Sequence, residues 1–386
     1  MTERIYLDNS ATTPVDAAVL EAMLPALGGV FGNASSVHLF GQEARAVVEE
    51  ARRAVADLIG ADTREVVFTS GGTESNNWAL WGTLWGRGRP GDHVVTTRIE
   101  HPAVLATCAA MENRGVEVTR VPVDASGRVD PGAVAAAVRE RTILVSVMHA
   151  NNETGIIQPV AEIAEIARKR GVPLHTDAVQ SVGKIPVDVK ALGVDLLSLS
   201  AHKIHGPKGV GALWIRRGTP IAPFLTGGAQ ERKRRAGTEN VPAIAGFGAA
   251  ARLAAGRLPE MGGRVSALRD RFEQGALGRI PGGRVNGRGP RLPSITNLSF
   301  ERLEGEAAVI ALDLEGVAAS TGSACSSGSL EPSHVLREMG LRPEVVQSSL
   351  RFSLGRQNTE GEIDRALDIL GKVVERLRTL SRSPRR

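Results

Sequence analysis

The stretch LLSLSAHKIHGPKG (residues 196–209) decides how the rest of this sequence is interpreted. A strand-like apolar run ends at Ser200, and a Gly-Pro turn follows within a few residues. Lys203 stands where the strand pattern breaks, and it is one of only seven lysines in a chain that otherwise uses arginine. A lysine kept at the end of a buried strand is therefore the first candidate for a functional amine.

Outward from this stretch, residues 65–217 alternate between short β-branched runs and longer helical patterns. The runs EVVFTS, HVVTTR, VEVTRVPV, TILVSVMHA, VPLHTDA, DLLSLS and VGALWIRR predict strands apolar enough to be buried on both faces. Between them, PVAEIAEIARKRG places Val160, Ile163 and Ala167 on one helical stripe. This alternation predicts an α/β fold with an open, mainly parallel sheet, which binds ligands at the carboxyl ends of its strands.

The bulk composition excludes several classes of protein. The 386 residues are 42% hydrophobic and 23% charged, as in an ordinary globular protein. The sequence contains no run of about 18 apolar residues and no signal-peptide pattern, so we expect no membrane span. The pI of about 9.6 comes from dispersed arginines and a basic tail without stacking aromatics, so we expect no direct nucleic-acid binding. Two distant cysteines favour a reducing cytoplasm over a disulfide framework.

The sequence changes character near residue 260, and this predicts two domains. We expect residues 15–260 to form a large domain around the parallel sheet. Beyond it, SITNLSF, GVAAST and SLRFSL predict strands, with helices at GEAAVIALDLEG and TEGEIDRALDILGKVVERLRTL. Residues 261–386 are therefore expected to form a smaller α+β domain, with residues 1–14 packing against it.

Five predicted strands end in residues that carry chemistry. EVVFTS is followed by GGTESNN, where Gly72 and Thr73 at a helix start predict an anion site. The alternative is a tight turn with Thr73 as an ordinary N-cap. HVVTTR is followed by His101, which could equally be structural, and TILVSVMHA is followed by Asn151 and Asn152.

The other two strand ends supply a carboxylate and an amine. VPLHTDAVQS contains Asp177 and Gln180, and a buried carboxylate is costly unless it meets a positive partner, although Asp177 could also cap a helix. DLLSLS is followed by Lys203, with Lys208 as the alternative amine. We predict no metal site, because the histidines lack the H-E-x-x-H spacing and the cysteines are not paired.

An anion cradle, an imidazole, amides, a carboxylate and a lysine at one sheet edge point to a single ligand, pyridoxal 5′-phosphate. This cofactor needs a lysine amine for covalent attachment, a carboxylate to keep its pyridine nitrogen protonated, and a phosphate site. Each residue has an ordinary explanation alone, whereas their joint occurrence predicts the cofactor. Lys203 is the predicted amine.

A second chemical feature is ASTGSACSSGSLEPSHVL, in which small and polar residues surround Cys325. Such residues cannot build a core, so we expect a mobile surface loop whose thiol is accessible and reactive. A spare surface cysteine is the alternative. Cys108, in VLATCAAM, lies on an apolar helical face and is expected to be buried.

The whole sequence resembles the NifS/IscS-type cysteine desulfurases, which belong to the pyridoxal-phosphate-dependent class V aminotransferase family. The resemblance rests on YLDNSATTP, FGNASSVH, SGGTESNN, EHPAVL, NNETG, HTDAVQ, SAHKIHGPKG, RAGTENV, STGSACSSGSLEPSHVL and LRFSLGR. The segment around Cys325 is similar to the first (group I) of two desulfurase groups. The resemblance implies the aspartate aminotransferase-like fold (fold type I). It also implies conversion of L-cysteine to L-alanine, with the sulfur carried as a persulfide on Cys325.

The resemblance also assigns roles to single residues. Lys203 would bind the cofactor and move the substrate α-proton, His101 would stack on the pyridine ring, and Cys325 would attack the sulfur. The cofactor-binding residues would be Gly72, Thr73, His101, Asn151, Asp177, Gln180, Ser200, His202, Lys203 and Thr238. The substrate-binding residues would be Asn33, Asn151 and Arg351, the last of which would hold the substrate carboxylate.

The resemblance further implies a homodimer with shared active sites, because Thr238 would reach the phosphate in the neighbouring subunit. The sulfur would pass to an acceptor protein, either an iron–sulfur scaffold or a thiolation enzyme. Two alternatives remain open. One is another enzyme of the same fold, such as an aminotransferase or a selenocysteine lyase. The other is a binding protein that has lost turnover, which the intact lysine, aspartate and cysteine positions disfavour.

Overall fold

The computed structural model describes residues 4–87, 92–321 and 332–382. The strands are β1 (Ile5–Tyr6), β2 (Val66–Thr69), β3 (His93–Thr97), β4 (Glu117–Val121), β5 (Thr142–Ser146), β6 (Leu174–Asp177), β7 (Leu196–Ser200), β8 (Gly211–Ile215), β9 (Gly283–Val285), β10 (Ile295–Phe300), β11 (Val317–Ala318) and β12 (Ser349–Ser353). The helices are α1 (Ala17–Gly28), α2 (Leu39–Leu58), α3 (Gly72–Arg87), α4 (Pro102–Glu112), α5 (Pro131–Ala137), α6 (Val160–Lys169), α7 (Val189–Leu192), α8 (Gln230–Lys233), α9 (Val241–Glu260), α10 (Ser266–Arg279), α11 (Gly305–Leu314), α12 (His334–Glu338), α13 (Pro343–Gln347) and α14 (Glu360–Arg382). Within these described ranges, no helix combines the length and the apolarity that crossing a membrane requires.

A seven-stranded sheet has the strand order β2-β8-β7-β6-β5-β3-β4. Strand β3 runs parallel to β4 and β5, and the parallel pairing continues from β5 through β6 to β7. Strand β8 is antiparallel to both β7 and β2, so β2 regains the direction of β7. The carboxyl ends of β2, β3, β5, β6 and β7 therefore share one edge. The predicted α/β fold with a mainly parallel sheet is confirmed.

Helices cover both faces of this sheet, whose inner strands are buried throughout. On one face, α1, α2, α6 and α9 contribute Val19, Val55, Ile163 and Phe247 to a single apolar cluster. On the other face, α3 and α4 pack through residues that include Cys108. Burial raises the pKa of the Cys108 thiol to about 12, which makes it the inert core residue that the sequence predicts.

The C-terminal elements build a second core around the antiparallel sheet β12-β10-β9. Helices α10, α11 and α14 pack on this sheet, and Phe272, Phe300 and Phe352 lie in its apolar cluster. Ile5 and Leu7 belong to the same cluster, and β1 pairs in parallel with β11. The N-terminal strand is thus part of the core that the C-terminal elements form.

The backbone stays helical across residue 260, where the sequence changes character. Helix α9 passes through a π-helical turn, Met261–Val265, directly into α10. Pro259 in the last turn of α9 lacks an N–H donor and crowds the turn before it, which accounts for the wider turn that follows. The predicted domain limits at residues 14 and 260 stay predictions, and the helical path from α9 to α10 shows no break at residue 260.

A buried ion pair fixes the segment that precedes RAGTENV. Arg52 donates from Nη1 and Nη2 to the Glu231 carboxylate at 2.6 and 2.7 Å, and the Phe68 amide donates to the same carboxylate at 2.9 Å. Glu231 also has a left-handed backbone, with φ of 46°. Three buried hydrogen bonds, shielded from water, therefore hold the strained turn to α2 and β2.

Replacing Glu231 with alanine leaves the Arg52 guanidinium buried without its counter-charge. We expect Glu231→Ala to lower the free energy of unfolding by about 3 kcal/mol, measured by urea denaturation of the cofactor-free protein. The control is Glu117→Ala, which removes an exposed ion pair with Arg139 and should cost no more than about 1 kcal/mol. Equal losses in the two variants would contradict a structural role for the buried pair.

Candidate active site

A cavity of about 260 Å³ lies at the carboxyl edge of the seven-stranded sheet. Its lining residues are Ala11, Gly72, Thr73, Asn76, His101, Met148, Ala150, Asn152, Asp177, Val179, Gln180, Ser200, His202 and Lys203. They come from the ends of β2, β3, β5, β6 and β7 and from the N-terminal segment. The strand-end argument from the sequence therefore leads to one connected site.

Lys203 enters the cavity from the short 3₁₀ turn, Ala201–Lys203, that ends β7. The side chain is 9% exposed. Its Nζ donates to the carbonyl oxygens of Ser10 and Ala11, in the second case at 2.8 Å. The alternative amine, Lys208, is exposed and does not line the cavity. The N-terminal segment thus holds the amine at the strand end.

Asp177 ends β6 with both carboxylate oxygens engaged. Oδ2 accepts a hydrogen bond from Asn76 Nδ2 at 2.6 Å, and Oδ1 accepts one from the Val179 amide at 3.0 Å. Asp177 is 6% exposed, so these two donors hold the carboxylate in one orientation inside the cavity. A carboxylate fixed in this way can pair with a protonated ring nitrogen.

The first turn of α3 forms one wall of the cavity. Gly72 and Thr73 lie in this turn, where backbone N–H groups lack acceptors within the helix and the helix dipole is positive. A Cβ on Gly72 would lie 2.8 Å from Val179 Cγ2, so any larger residue would force the Val179 side chain to move. Ser200 Oγ is buried in the same lining and has no hydrogen-bond partner among the described residues. The wall has the donors that an anion needs.

Both cavity histidines are neutral at pH 7. Burial lowers the pKa of His101, and the charges of Lys203 and His334 act in the same direction while Asp177 opposes them. His101 Nδ1 accepts a hydrogen bond from the Ala103 amide at 3.1 Å as the N-cap of α4. Its proton is therefore on Nε2. Burial, with the charge of Lys203 next, lowers the pKa of His202 to about 4.

Asn151 does not line the cavity, and its neighbour Asn152 does. The Asn151 side chain is used inside its own turn: Oδ1 accepts from the amides of Glu153 and Thr154 at 2.9 and 3.0 Å, and Nδ2 donates to the Ile99 carbonyl at 3.1 Å. These bonds turn the amide away from the cavity. Asn152 thus lines the cavity, and the predicted role of Asn151 stays a prediction.

Three other predicted residues lie outside the cavity lining. Arg351 is fully buried on β12, where Nη1 donates to the Asn152 carbonyl at 3.1 Å and Nη2 pairs with Asp8 at 2.7 Å. Asn33 and Thr238 are exposed. Arg351 thus contacts the backbone of the cavity residue Asn152, whereas Asn33 and Thr238 lie on the surface. Cys325 lies outside the described residues.

The fold and the cavity agree with the comparisons to known proteins. The sequence matches the family described as Aminotransferase class-V over residues 5–366. This chain belongs to that family. A cysteine desulfurase IscS from Methanosarcina thermophila is 51% identical over 378 residues, which make up 98% of this chain and 93% of that relative. These matches confirm the family resemblance that the motifs predict.

Solved structures give the same result for the fold. A NifS-like protein aligns with a TM-score of 0.91 and 39% identity, covering 96% of this chain and 99% of that chain. A structure described as SspA in complex with cysteine aligns with a TM-score of 0.82 and 35% identity, covering 92% of this chain and all of that one at 100%. Fold type I and pyridoxal phosphate, the cofactor of class V aminotransferases, are thereby confirmed.

The residues that line the cavity fit this cofactor. Ser200 Oγ and Asn76 Oδ1 are both buried in the lining without hydrogen-bond partners in the described part of the chain, so a polar ligand would satisfy them. The α3 N-terminus suits a phosphate, and Asp177 suits a pyridinium nitrogen. Lys203 supplies the amine between them.

Sequence reasoning missed the groups that hold the site residues in place. Asn76 orients Asp177, and the carbonyls of Ser10 and Ala11 hold Lys203. Asn76 lies within the quoted motif SGGTESNN, one helical turn from Gly72, and this spacing was the available signal. The two carbonyls gave no signal, because backbone acceptors do not depend on side-chain identity.

Glu100, next to His101, is fully buried beneath the site. Its Oε1 accepts from Thr97 Oγ1 at 2.6 Å and from the Met148 amide at 2.9 Å, while Oε2 has no partner among the described residues. Burial raises the pKa of Glu100 to about 8 despite these two donors. The carboxyl group is therefore protonated in the folded protein at pH 7 and ionised in the unfolded chain.

This difference predicts how stability depends on pH. Between the ordinary glutamate pKa and about 8, the folded state binds one more proton than the unfolded state, so Glu100 lowers the free energy of unfolding as pH rises. We expect Glu100→Gln to gain stability relative to wild type as urea denaturation is repeated from pH 5 to pH 8. The control Glu112→Gln should show a constant difference, because hydrogen bonding to Arg120 lowers the pKa of Glu112. A constant difference for Glu100→Gln would contradict the buried neutral carboxyl.

Proposed function

We propose that this protein is a cysteine desulfurase that converts L-cysteine to L-alanine and transfers the sulfur to Cys325. The observation that carries the proposal is the cavity in which Lys203, Asp177 and the α3 N-terminus meet. The identity of about half of all residues to a protein named cysteine desulfurase supports this substrate. In the overall reaction the substrate C–S bond breaks and an S–S bond forms on Cys325. The proton that the Cys325 thiol loses completes the new methyl group of alanine.

Pyridoxal phosphate, when bound, supplies an electron sink that stabilises negative charge at the substrate α-carbon. The chain's own residues supply positions and protons around it. The position of Lys203 at the end of β7 puts its amine inside the cavity. Nζ can therefore accept the proton from the substrate α-carbon and donate it again later in the reaction. Neutral His101 presents an Nε2 proton for donation within the same cavity. Asp177, held by Asn76 and Val179, pairs with the ring nitrogen.

Arg351 is the proposed ligand of the substrate carboxylate. Its guanidinium is fully buried, and Nε has no hydrogen-bond partner among the described residues. Nη2 is paired with Asp8, and the substrate carboxylate would replace Asp8 on this nitrogen. Nη1 would stay on the carbonyl of Asn152, which borders the cavity. A planar guanidinium suits this exchange, because it binds a carboxylate through two parallel hydrogen bonds.

Cys325 is the proposed nucleophile, so its removal should stop sulfur transfer without stopping cofactor binding. We expect Cys325→Ser to lose at least about 100-fold in alanine formation from L-cysteine while keeping the absorbance of the bound cofactor. The matched control is Cys108→Ser, whose thiol is buried and inert. Lys203→Ala should instead lose the covalent cofactor link.

Two outcomes would contradict this assignment. Full activity of Cys325→Ser would remove Cys325 from the mechanism. Activity that depends on a keto-acid acceptor and is unchanged in Cys325→Ser would indicate an aminotransferase.

The reaction needs a reduced thiol, which supports a cytoplasmic location. We further propose that the persulfide passes its sulfur to an acceptor protein that builds iron–sulfur clusters or thiolates nucleic acids.

We also propose that the protein acts as a homodimer. Large apolar side chains that are 51–87% exposed concentrate within residues 20–40, and they are Leu20, Leu24, Leu27, Phe31, Val37, Leu39 and Phe40. The three leucines follow a helical stripe on α1, and the rings of Phe31 and Phe40 lie 5.2 Å apart. A second copy of the chain would cover this surface. The exposed Thr238 would then be free to enter the partner's site.

A charge in this surface should prevent dimer formation. We expect the wild type to have the mass of a dimer by light scattering and Leu27→Asp to shift toward the monomer, because a buried unpaired carboxylate opposes association. The matched control is Leu314→Asp, on α11, where the leucine is 79% exposed but lies far along the chain from this surface. A monomeric wild type, or dimers in both variants, would contradict the proposed interface.

A further inference from the structure

Lys184 is a buried lysine that the proposed reaction does not use. It lies in the turn after Gln180 and is 6% exposed. Its Nζ donates to Gln180 Oε1 at 2.7 Å. It lines a second, smaller cavity of about 40 Å³, and Lys203 lines both cavities. Lys203 therefore borders both cavities, and Lys184 borders only the smaller one.

Keeping an ammonium group in this place is costly. Burial, followed by the charges of Lys203 and Arg351, lowers the pKa of Lys184 to about 7. Lys184 in turn contributes to lowering the pKa values of His202 and His205. An apolar side chain of similar length would avoid this desolvation cost. A buried lysine at such a position needs a task that an apolar residue cannot perform.

The hydrogen bond to Gln180 identifies that task. A lysine ammonium can only donate, so it requires the carbonyl oxygen of the Gln180 amide on its own side. The amide nitrogen must then lie on the other side, and Nε2 indeed donates to the Ser10 carbonyl at 2.9 Å. The amide nitrogen has two N–H groups, and Gln180 lines the cofactor cavity. The second N–H is then left for a partner in the cavity.

The shared Ser10 carbonyl places this donor beside Lys203. Ser10 O accepts from Gln180 Nε2 and also from Lys203 Nζ, so the amide nitrogen and the amine lie on the same oxygen. The phenolic oxygen of pyridoxal phosphate is on the ring carbon next to the one that bears the aldehyde, and the aldehyde is the group that a lysine binds. An amide N–H adjacent to Lys203 is therefore positioned to donate to that oxygen.

We propose that Lys184 is a positioning residue for pyridoxal phosphate, which fixes the Gln180 amide so that its N–H groups face the cofactor. The inference rests on the proposed function only in requiring that the cofactor binds in this cavity. Without Lys184, only the Ser10 carbonyl orients the Gln180 amide, so the flipped amide, with its oxygen toward the cofactor oxygen, becomes more populated. The loss should appear in cofactor affinity and in the pH titration of the cofactor absorbance.

A double-mutant cycle on the dissociation constant of pyridoxal phosphate tests this role. Lys184→Met should weaken cofactor binding to the cofactor-free protein about tenfold, the effect of one hydrogen bond. In the Gln180→Ala background, the same substitution should change affinity by about twofold or less, because Lys184 no longer has an amide to fix. Lys184→Arg, which can still donate to Oε1, should restore most of the affinity.

Further measurements separate positioning from general destabilisation. Lys190→Met removes an exposed lysine and should leave both affinity and absorbance unchanged. Gln180→Glu keeps an acceptor for Lys184 but has no N–H to give, so it should weaken cofactor binding about tenfold without lowering the melting temperature of the cofactor-free protein. This variant keeps the proposal testable if Lys184→Met fails to fold.

The outcomes are distinguishable. Equal loss of affinity from Lys184→Met in both backgrounds, or wild-type affinity in Gln180→Glu, would overturn the positioning role and leave the proposed function intact. A wild-type protein that binds no pyridoxal phosphate would overturn both. A coupled loss together with a shifted titration of the cofactor absorbance in Lys184→Met would support the proposal.

Discussion

The structure depends on the way its N-terminal segment meets the end of one strand of the large sheet. Strand β7 brings Lys203 to the sheet edge, and the carbonyls of Ser10 and Ala11 hold the amine there. The same N-terminal segment belongs, through Ile5 and Leu7, to the core of the C-terminal elements. The position of the reactive amine is therefore set by contacts from both cores, so the site exists only when the two are assembled.

The charged groups around this amine are buried and are paired with protein groups rather than with water. Asp177 is oriented by Asn76, Arg351 is paired with Asp8, and Lys184 donates to Gln180. Each of these polar groups is buried, so each partner is required to offset the cost of desolvation. The neutral state of His101 and Glu100 follows from the same burial. A charged ligand that enters this site has to take over the present partners of Lys203 and Arg351.

The residues that the sequence predicted correctly for the cavity are those whose position follows from strand periodicity. Lys203, Asp177, His101 and Gly72 each follow a clear apolar run, and parallel strands bring such positions to one edge. Asn151 and Asn152 show the limit of that reasoning. Adjacent residues of a turn point in different directions. For Asn151, the direction is set by hydrogen bonds that its Oδ1 accepts from the Glu153 and Thr154 amides, which no periodicity encodes.

Other features depended on contacts between distant parts of the chain. The Asp8–Arg351 pair joins residues from the two ends of the sequence, and the continuous helix across Pro259 overrides a local breaking signal. Strands β1 and β9 are short and have too few residues for a pattern to be visible. Tertiary packing settles such cases, so composition and local propensity could not predict them.

The pairing of β1 with β11 has a consequence for synthesis of the protein on the ribosome. Ile5 and Val317 are neighbours in this ladder, so the first strand to be translated has to wait for one of the last before it can dock. Closing so long a loop carries an entropic cost that slows folding. Vectorial folding can complete the large sheet early, and Thr13 can already bond to the His202 carbonyl at its edge, but residues 5 and 6 gain their strand partner only after most of the polypeptide has emerged. We therefore expect docking of the N-terminal strand onto the second core to be a late step of folding.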